Sequence, residues 1–219
     1  MTRAGPGAAR AGLVLAGGYS TRFGEADKAF AELGGRPLIR HVLARLDHVT
    51  DGLLVSCRDE QLPLLRQALT GTGLSAGAVP DPVPDRGPAA GIAAGLAPCR
   101  PTYAAVVACD TPLVDPGFLS ALFERAEGCD GAVPRVDGRL RPTLAVYRTA
   151  AIRDACKRSI ASGDGSLRRA VERVDVVVVP EDQVARETEL RRLRDVNTPG
   201  DLAGVRETFG RDDEPDPGS

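Results

Sequence analysis

What this 219-residue chain lacks narrows its chemistry before any motif is weighed. No apolar run approaches the ~20 residues that a membrane-spanning helix requires, so no membrane partner is expected. An excess of one charge is missing too. Lys and Arg number 28 against 30 Asp and Glu, a net charge of −2 that offers no basic field to nucleic acid. The five cysteines (57, 99, 109, 129 and 156) are odd in number and include no C-x-x-C pair. That pattern argues against a disulfide framework or a structural zinc site, and a reducing cytoplasm is the simplest home. The two histidines, His41 and His48, lie seven residues apart on one expected helix, with no cysteine or carboxylate set beside them. They read as structural or exposed. The opening MTRAGPGAAR has basic residues but no hydrophobic core of its own, so it is not expected to be a signal peptide. No internal repeat is found.

What is present reads as one α/β domain over residues 11–209, between a flexible lead-in (1–10) and a disordered acidic tail (210–219). Short apolar runs predict strands at 11–16, 53–57, 76–79, 103–108, 131–135 and 174–179. A further strand lies within 139–148, where Pro142 suits a strand edge. Helices are expected from Leu38 to Leu46 after Pro37, and at 62–69, 89–97, 117–126, 150–160, 165–172 and 199–208. The charged stretch 186–194 reads as a solvated loop or helix face. Strands alternate with helices, so the sheet is expected to be mainly parallel with helices on both faces.

Residues 11–28, AGLVLAGGYSTRFGEADK, organise this reading. A strand opening into Gly17-Gly18 lets backbone N–H groups approach an anion, because no Cβ intervenes. Arg22 and Lys28 add cations suited to phosphate, the first a planar fork and the second a compact charge. A P-loop is excluded, since Gly24 is followed by Glu25, and Gly17-Gly18-Tyr19 does not supply a dinucleotide fingerprint. Elsewhere, Asp110 follows a wholly apolar strand directly, where open α/β sheets place ligand chemistry. The alternative for Asp110 is a turn or capping residue.

Sixteen residues, LAGGYSTRFGEADKAF, resemble the nucleotide-binding signature of the MobA-like nucleotidyltransferases, the family of molybdenum cofactor guanylyltransferase. The resemblance continues in family order. It takes in Asp81, Gly87-Pro88-Ala89-Ala90-Gly91, Cys109-Asp110-Thr111-Pro112, Arg141-Pro142-Thr143-Leu144-Ala145 and Asp195-Val196-Asn197-Thr198-Pro199. It implies a single Rossmann-like, three-layer α/β fold. It also implies transfer of GMP from GTP to the phosphate of molybdopterin, with release of pyrophosphate and dependence on Mg²⁺.

The same resemblance assigns residues. Arg22, Lys28 and Asp110 would be catalytic, with Asp110 holding the metal. Leu15, Ala16, Gly17, Gly18, Lys28, Ser56, Asp81 and Asp110 would bind the nucleotide. Asn197 would contact the acceptor or a second metal, and a minority reading lets Arg168 reach the acceptor's phosphate. Implied partners are GTP, molybdopterin or molybdenum cofactor, and other proteins of molybdenum cofactor biosynthesis. Three positions depart from the family pattern. Ser56-Cys57-Arg58 replaces Asn-Ala-Asn, Arg141 replaces His, and Asp195 replaces Asn, adding a carboxylate that either reinforces metal binding or marks a different acceptor. The double glycine of LAGG resembles the guanylyl rather than the cytidylyl branch. The alternatives are a nucleotidyltransferase of this fold using CTP or another phosphorylated acceptor, such as cobinamide or a sugar phosphate, and a noncatalytic cofactor-binding module.

Overall fold

The computed structural model describes residues 9–18, 27–81 and 87–212. In chain order the first half comprises β1 (Arg10–Leu15), β2 (Glu32–Leu33), β3 (Arg36–Pro37), α1 (Leu38–Asp47), β4 (Gly52–Cys57), α2 (Leu62–Leu69), β5 (Ala76–Pro80) and α3 (Pro88–Gly95). The second comprises β6 (Tyr103–Ala108), α4 (Pro116–Ala126), β7 (Gly131–Val136), β8 (Arg139–Leu140), β9 (Leu144–Arg148), α5 (Thr149–Ala161), α6 (Leu167–Val171), β10 (Val176–Val179), α7 (Glu181–Glu187) and α8 (Pro199–Asp212). Arg10 of the expected lead-in already belongs to β1, and α8 continues through 210–212 of the expected tail. The remainder of both stretches lies outside the described residues.

The main sheet runs β10-β7-β9-β6-β1-β4-β5, with β8 paired to β7. Parallel pairing joins β5, β4, β1 and β6, and again β10 and β7. Alternation along β6 divides its side chains between two cores. Tyr103, Ala105 and Val107 join one, with α1, α2 and α4; Ala104 and Val106 join the other, with α3, α5 and α6. A strand buried on both faces has no polar side to show, which is why YAAVVA is apolar throughout. The result is the expected three-layer α/β arrangement. No helix among the described residues is long and apolar enough to cross a membrane.

Two details differ from the sequence reading. The stretch 139–148 is not one edge strand. The backbone turns at Asp137 (φ 51°) and Gly138 (φ 70°), pairs briefly as β8, and turns again where Leu144 N donates to Arg141 O at 3.0 Å. Pro142 sits inside that second turn, so β9 is free to lie in the sheet interior, antiparallel to both β6 and β7. The charged stretch 186–194 is the end of α7 followed by a 3₁₀ turn whose Leu193 is buried. A hairpin, β2–β3, turns on Gly34 and Gly35, both with positive φ. His41 is buried and His48 exposed.

Candidate active site

Strand order reverses at β1. The chain steps from β1 to β4 and β5 on one side, then crosses to β6 on the other. Open α/β sheets form their ligand crevice outside the carboxyl ends of strands at such a switch point. Backbone bonds continue past the strand ends and hold this crevice. Ala16 N donates to Ser56 O at 2.8 Å, Cys109 N to Leu15 O at 3.0 Å, and Asp81 N to Cys57 O at 2.8 Å.

A cavity of about 340 Å³ occupies the crevice. Its walls include Leu15, Ala16, Gly17, Gly18, Lys28, Ser56, Asp81 and Asp110, together with Gly87, Pro88 and Gly91 of α3 and its approach, and Thr143. Every residue expected at the nucleotide therefore lines one space, with Arg22 outside the described residues. Small side chains on α3 make this possible. A Cβ on Gly91 would come within 3.1 Å of Ser56 Oγ and 3.3 Å of Leu15 Cδ2, thickening the cavity wall.

The polar centre is Lys28, whose Nζ donates to Asp110 Oδ2 at 2.7 Å and to Asn197 Oδ1 at 3.2 Å. Each partner is fixed locally. Asp27 caps the 3₁₀ turn Lys28–Phe30 by accepting from Ala29 N at 3.1 Å. Asp110 leaves the end of β6, and its carbonyl accepts from Val196 N at 2.7 Å. Asn197 precedes α8, where Asp201 Oδ2 accepts from Asn197 N, Thr198 N and Thr198 Oγ1 while Thr198 Oγ1 accepts from Asp201 N. This reciprocal cap sets the backbone at Asn197. The hydroxyl of Thr198 and these amides hold the Asp201 carboxyl below its ordinary range.

A second group was not found by sequence reasoning. Arg58 is 6% exposed and directs its guanidinium at the glycine loop, donating to Gly17 O at 3.1 Å, Gly18 O at 3.0 Å and Asp27 Oδ2 at 2.7 Å. Gln61, also buried, donates to Ala16 O at 2.9 Å and to the same Asp27 Oδ2 at 2.6 Å. In the sequence Arg58 had only been noted as the last residue of Ser56-Cys57-Arg58, and no local pattern marks its partners.

Asp195 and Arg141, two other departures, are partners. Arg141 Nη2 meets Asp195 Oδ1 at 2.5 Å and Leu193 O at 3.0 Å, and Thr111 Oγ1 donates to Asp195 Oδ1 at 3.1 Å. Burial pushes the Asp195 carboxyl up, the nearby Asp110 charge adds to this, and Arg141 opposes it. Both residues line a second cavity of about 480 Å³, with Arg139 and Thr143. Thr143 lines both cavities, so the two adjoin.

The donor chemistry here suits a hard cation shared with a ligand. No cluster of three or more His, Cys, Asp or Glu side chains that could hold a metal ion exists among the described residues. Mg²⁺ commonly takes one or two carboxylates, waters and substrate phosphates rather than an all-protein cage, and a single carboxylate beside an amide oxygen fits that habit. The neighbouring thiols offer no alternative. Burial pushes Cys57 up to about 11 and raises Cys109 further, so both stay protonated. Arg168 is exposed beside Glu172 and lines neither of these cavities, but it lines a third, of about 390 Å³, that shares Arg139, Leu140 and Pro142 with the second.

Comparison with known proteins places this geometry in context. The family model described as the MobA-like NTP transferase domain matches residues 12–178. A probable molybdenum cofactor guanylyltransferase of Natronomonas pharaonis is 42% identical over 200 residues, covering 90% of this chain and 97% of that protein. The molybdenum cofactor guanylyltransferase of Pseudomonas putida is 32% identical over 162 residues, covering 74% and 81%. Among solved structures, molybdopterin-guanine dinucleotide biosynthesis protein A from Archaeoglobus fulgidus superposes with a TM-score of 0.76 at 29% identity, covering 92% of this chain and 99% of that one. A 2-C-methyl-D-erythritol 4-phosphate cytidylyltransferase of Thermus thermophilus shares the fold (TM-score 0.65, 21% identity, 91% and 98% covered).

Proposed function

The chain belongs to the MobA-like NTP transferase family, and on that premise we propose that it is a molybdenum cofactor guanylyltransferase. It transfers GMP from GTP to the terminal phosphate of molybdopterin and releases pyrophosphate. An acceptor phosphate oxygen forms a bond to the α-phosphorus of GTP as the bond from that phosphorus to the oxygen bridging the α- and β-phosphates breaks, and that oxygen leaves with pyrophosphate. The observation that carries this reading is the convergence of Lys28, Asp110 and the Gly17-Gly18 loop on one cavity at the switch point. The 42% identity to a protein named for this activity supports the choice of acceptor.

In this reading Leu15 to Gly18, Ser56 and Asp81 hold the nucleotide, and the Lys28 ammonium neutralises charge that gathers on the phosphates. Asp110 would hold Mg²⁺, with Asn197 as an auxiliary oxygen at the metal or the acceptor. When bound, the metal supplies charge neutralisation across the triphosphate. Little covalent work falls to the protein, so rate comes from positioning. The acceptor occupies the adjoining cavity, where Arg139 and Arg141 offer guanidinium groups to its phosphate.

Calorimetric titration of GTP, CTP and ATP in the presence of Mg²⁺ tests the nucleotide half of this proposal. Selective GTP binding supports it, and selective CTP binding assigns the chain to a cytidylyl activity instead. Pyrophosphate release with GTP and each candidate acceptor then separates molybdopterin from cobinamide or sugar phosphates.

A further inference from the structure

We propose that Arg58 is a positioning residue for nucleotide transfer, acting through the glycine loop and through Asp27 on the lysine that follows it. Three strands of observation meet at this side chain. Its guanidinium reaches two successive carbonyls, Gly17 O and Gly18 O, on one side and the Asp27 carboxylate on the other. Those acceptors lie on either side of residues 19–26 in the chain, so one planar cation joins Gly17 and Gly18 to Asp27. Arg58 is itself held, its backbone N–H donating to Gln61 Oε1 at 2.7 Å and its Nε to Glu60 Oε1 at 2.9 Å.

The consequence for the loop follows from peptide geometry. A trans peptide places its C=O and N–H on opposite edges of one plane. Anchoring the Gly17 carbonyl at Arg58 therefore fixes the Gly18 N–H on the far edge, and both glycines line the nucleotide cavity. Glycine has the widest backbone freedom of any residue, so a Gly-Gly pair has most to gain from such an anchor. An ammonium could not replace it, since contact with three acceptors at fixed angles needs the guanidinium fork.

The consequence for Lys28 runs through Asp27. Its Oδ1 caps the turn that begins at Lys28, while Oδ2 accepts from Arg58 and from Gln61. Arg58 thus sets the carboxylate that sets the turn carrying the ammonium at Asp110. Arg58 does not line either cavity at the site. Its effect is indirect.

The inference rests on the nucleotidyltransferase reading of the site, and its test is kept separate from the choice of nucleotide. Full-length Arg58→Lys and Arg58→Ala are titrated with whichever nucleoside triphosphate the parent protein binds, and kcat is measured at saturating nucleotide. For Arg58→Lys, nucleotide Kd should rise about tenfold and kcat should fall by a similar factor, with the acceptor KM unchanged. A purely structural loss would lower the active fraction and leave Kd alone. Adding guanidinium ion at millimolar concentration to Arg58→Ala should recover part of the lost nucleotide affinity. Arg58→Lys within about twofold of the parent in both Kd and kcat would overturn the inference. So would guanidinium raising the thermal midpoint of Arg58→Ala without restoring affinity. A parent that prefers CTP would contradict the guanylyl reading and leave this comparison intact.

Discussion

Lys28 Nζ and Asp110 Oδ2 stand 2.7 Å apart although 82 residues separate them in the chain. The first follows the glycine loop after β1 and the second lies two residues past the end of β6, the strand beside β1 in the sheet. Parallel neighbours deliver their carboxyl ends to the same edge, so this contact follows directly from the pairing of two apolar runs. Both side chains are 16% exposed, open enough to meet a ligand.

Replacing Asp110 with Asn keeps the shape and removes the charge. Turnover is expected to fall by about 10³-fold or more, with the thermal midpoint near that of the parent. Lys28→Ala is expected to lower kcat by about 10²- to 10³-fold. Steady-state kinetics alongside thermal melts check both, and unchanged turnover in either variant removes that residue from the mechanism.

Arg141 and Asp195 should behave as a unit. Arg141→Ala leaves a carboxylate beside Asp110 without its cation, and the acceptor KM should rise about tenfold. Asp195→Asn in that background should restore part of the loss, because the repelling charge goes with its partner while the guanidinium offered to the phosphate stays absent. A double-mutant cycle measures the coupling. Strictly additive effects would mean that the pair does not shape the acceptor side.

His41 ties stability to pH. Its Nε2 lies 2.8 Å from Leu33 O, and its ring meets Phe209 of α8 edge-on at 5.1 Å. Burial lowers its pKa from 6.5, the Leu33 carbonyl opposes this, and the Arg45 and Arg36 charges add to the lowering. The folded state then binds fewer protons than the unfolded one as pH falls below 6.5. This contribution to stability is therefore full above 6.5 and is lost as pH falls through the lowered folded value. Urea unfolding from neutral pH to about pH 5 should show this loss, and His41→Gln should lack it.

Gly131 allows β9 to enter the sheet. A Cβ there would lie 2.5 Å from Val146 O and 3.2 Å from Tyr147 Cα, both on the facing strand. Backbone cannot swing aside as a side-chain tip can. Gly131→Ala is expected to destabilise by about 1 to 3 kcal/mol in urea unfolding, and an unchanged midpoint would show that the β7–β9 contact relaxes easily.

The sequence carried the parts of this molecule whose signal is local. The runs 11–16, 53–57 and 103–108 are strands because nothing but apolar side chains suits a sheet covered on both faces. The glycine loop and Asp110 were legible because glycines and a carboxylate directly after such runs have few other uses. What stayed hidden depends on distant partners. Arg58 meets Gly17 from 41 residues away, and Arg141 meets Asp195 across 54. Neither spacing has a periodicity to read. Two departures that looked independent are one ion pair. The interior position of β9 was equally invisible, since alternation marks a strand without naming its neighbours, and α7 buries Val184 alone, too little to register as a helical face.

The central claim is guanylyl transfer, and the most direct measurement follows pyrophosphate from the full-length protein incubated with Mg²⁺, molybdopterin and either GTP or CTP. Release with GTP, dependent on the acceptor and lost in Asp110→Asn, is the expected result. Release with CTP alone, or none with either nucleotide, would contradict it.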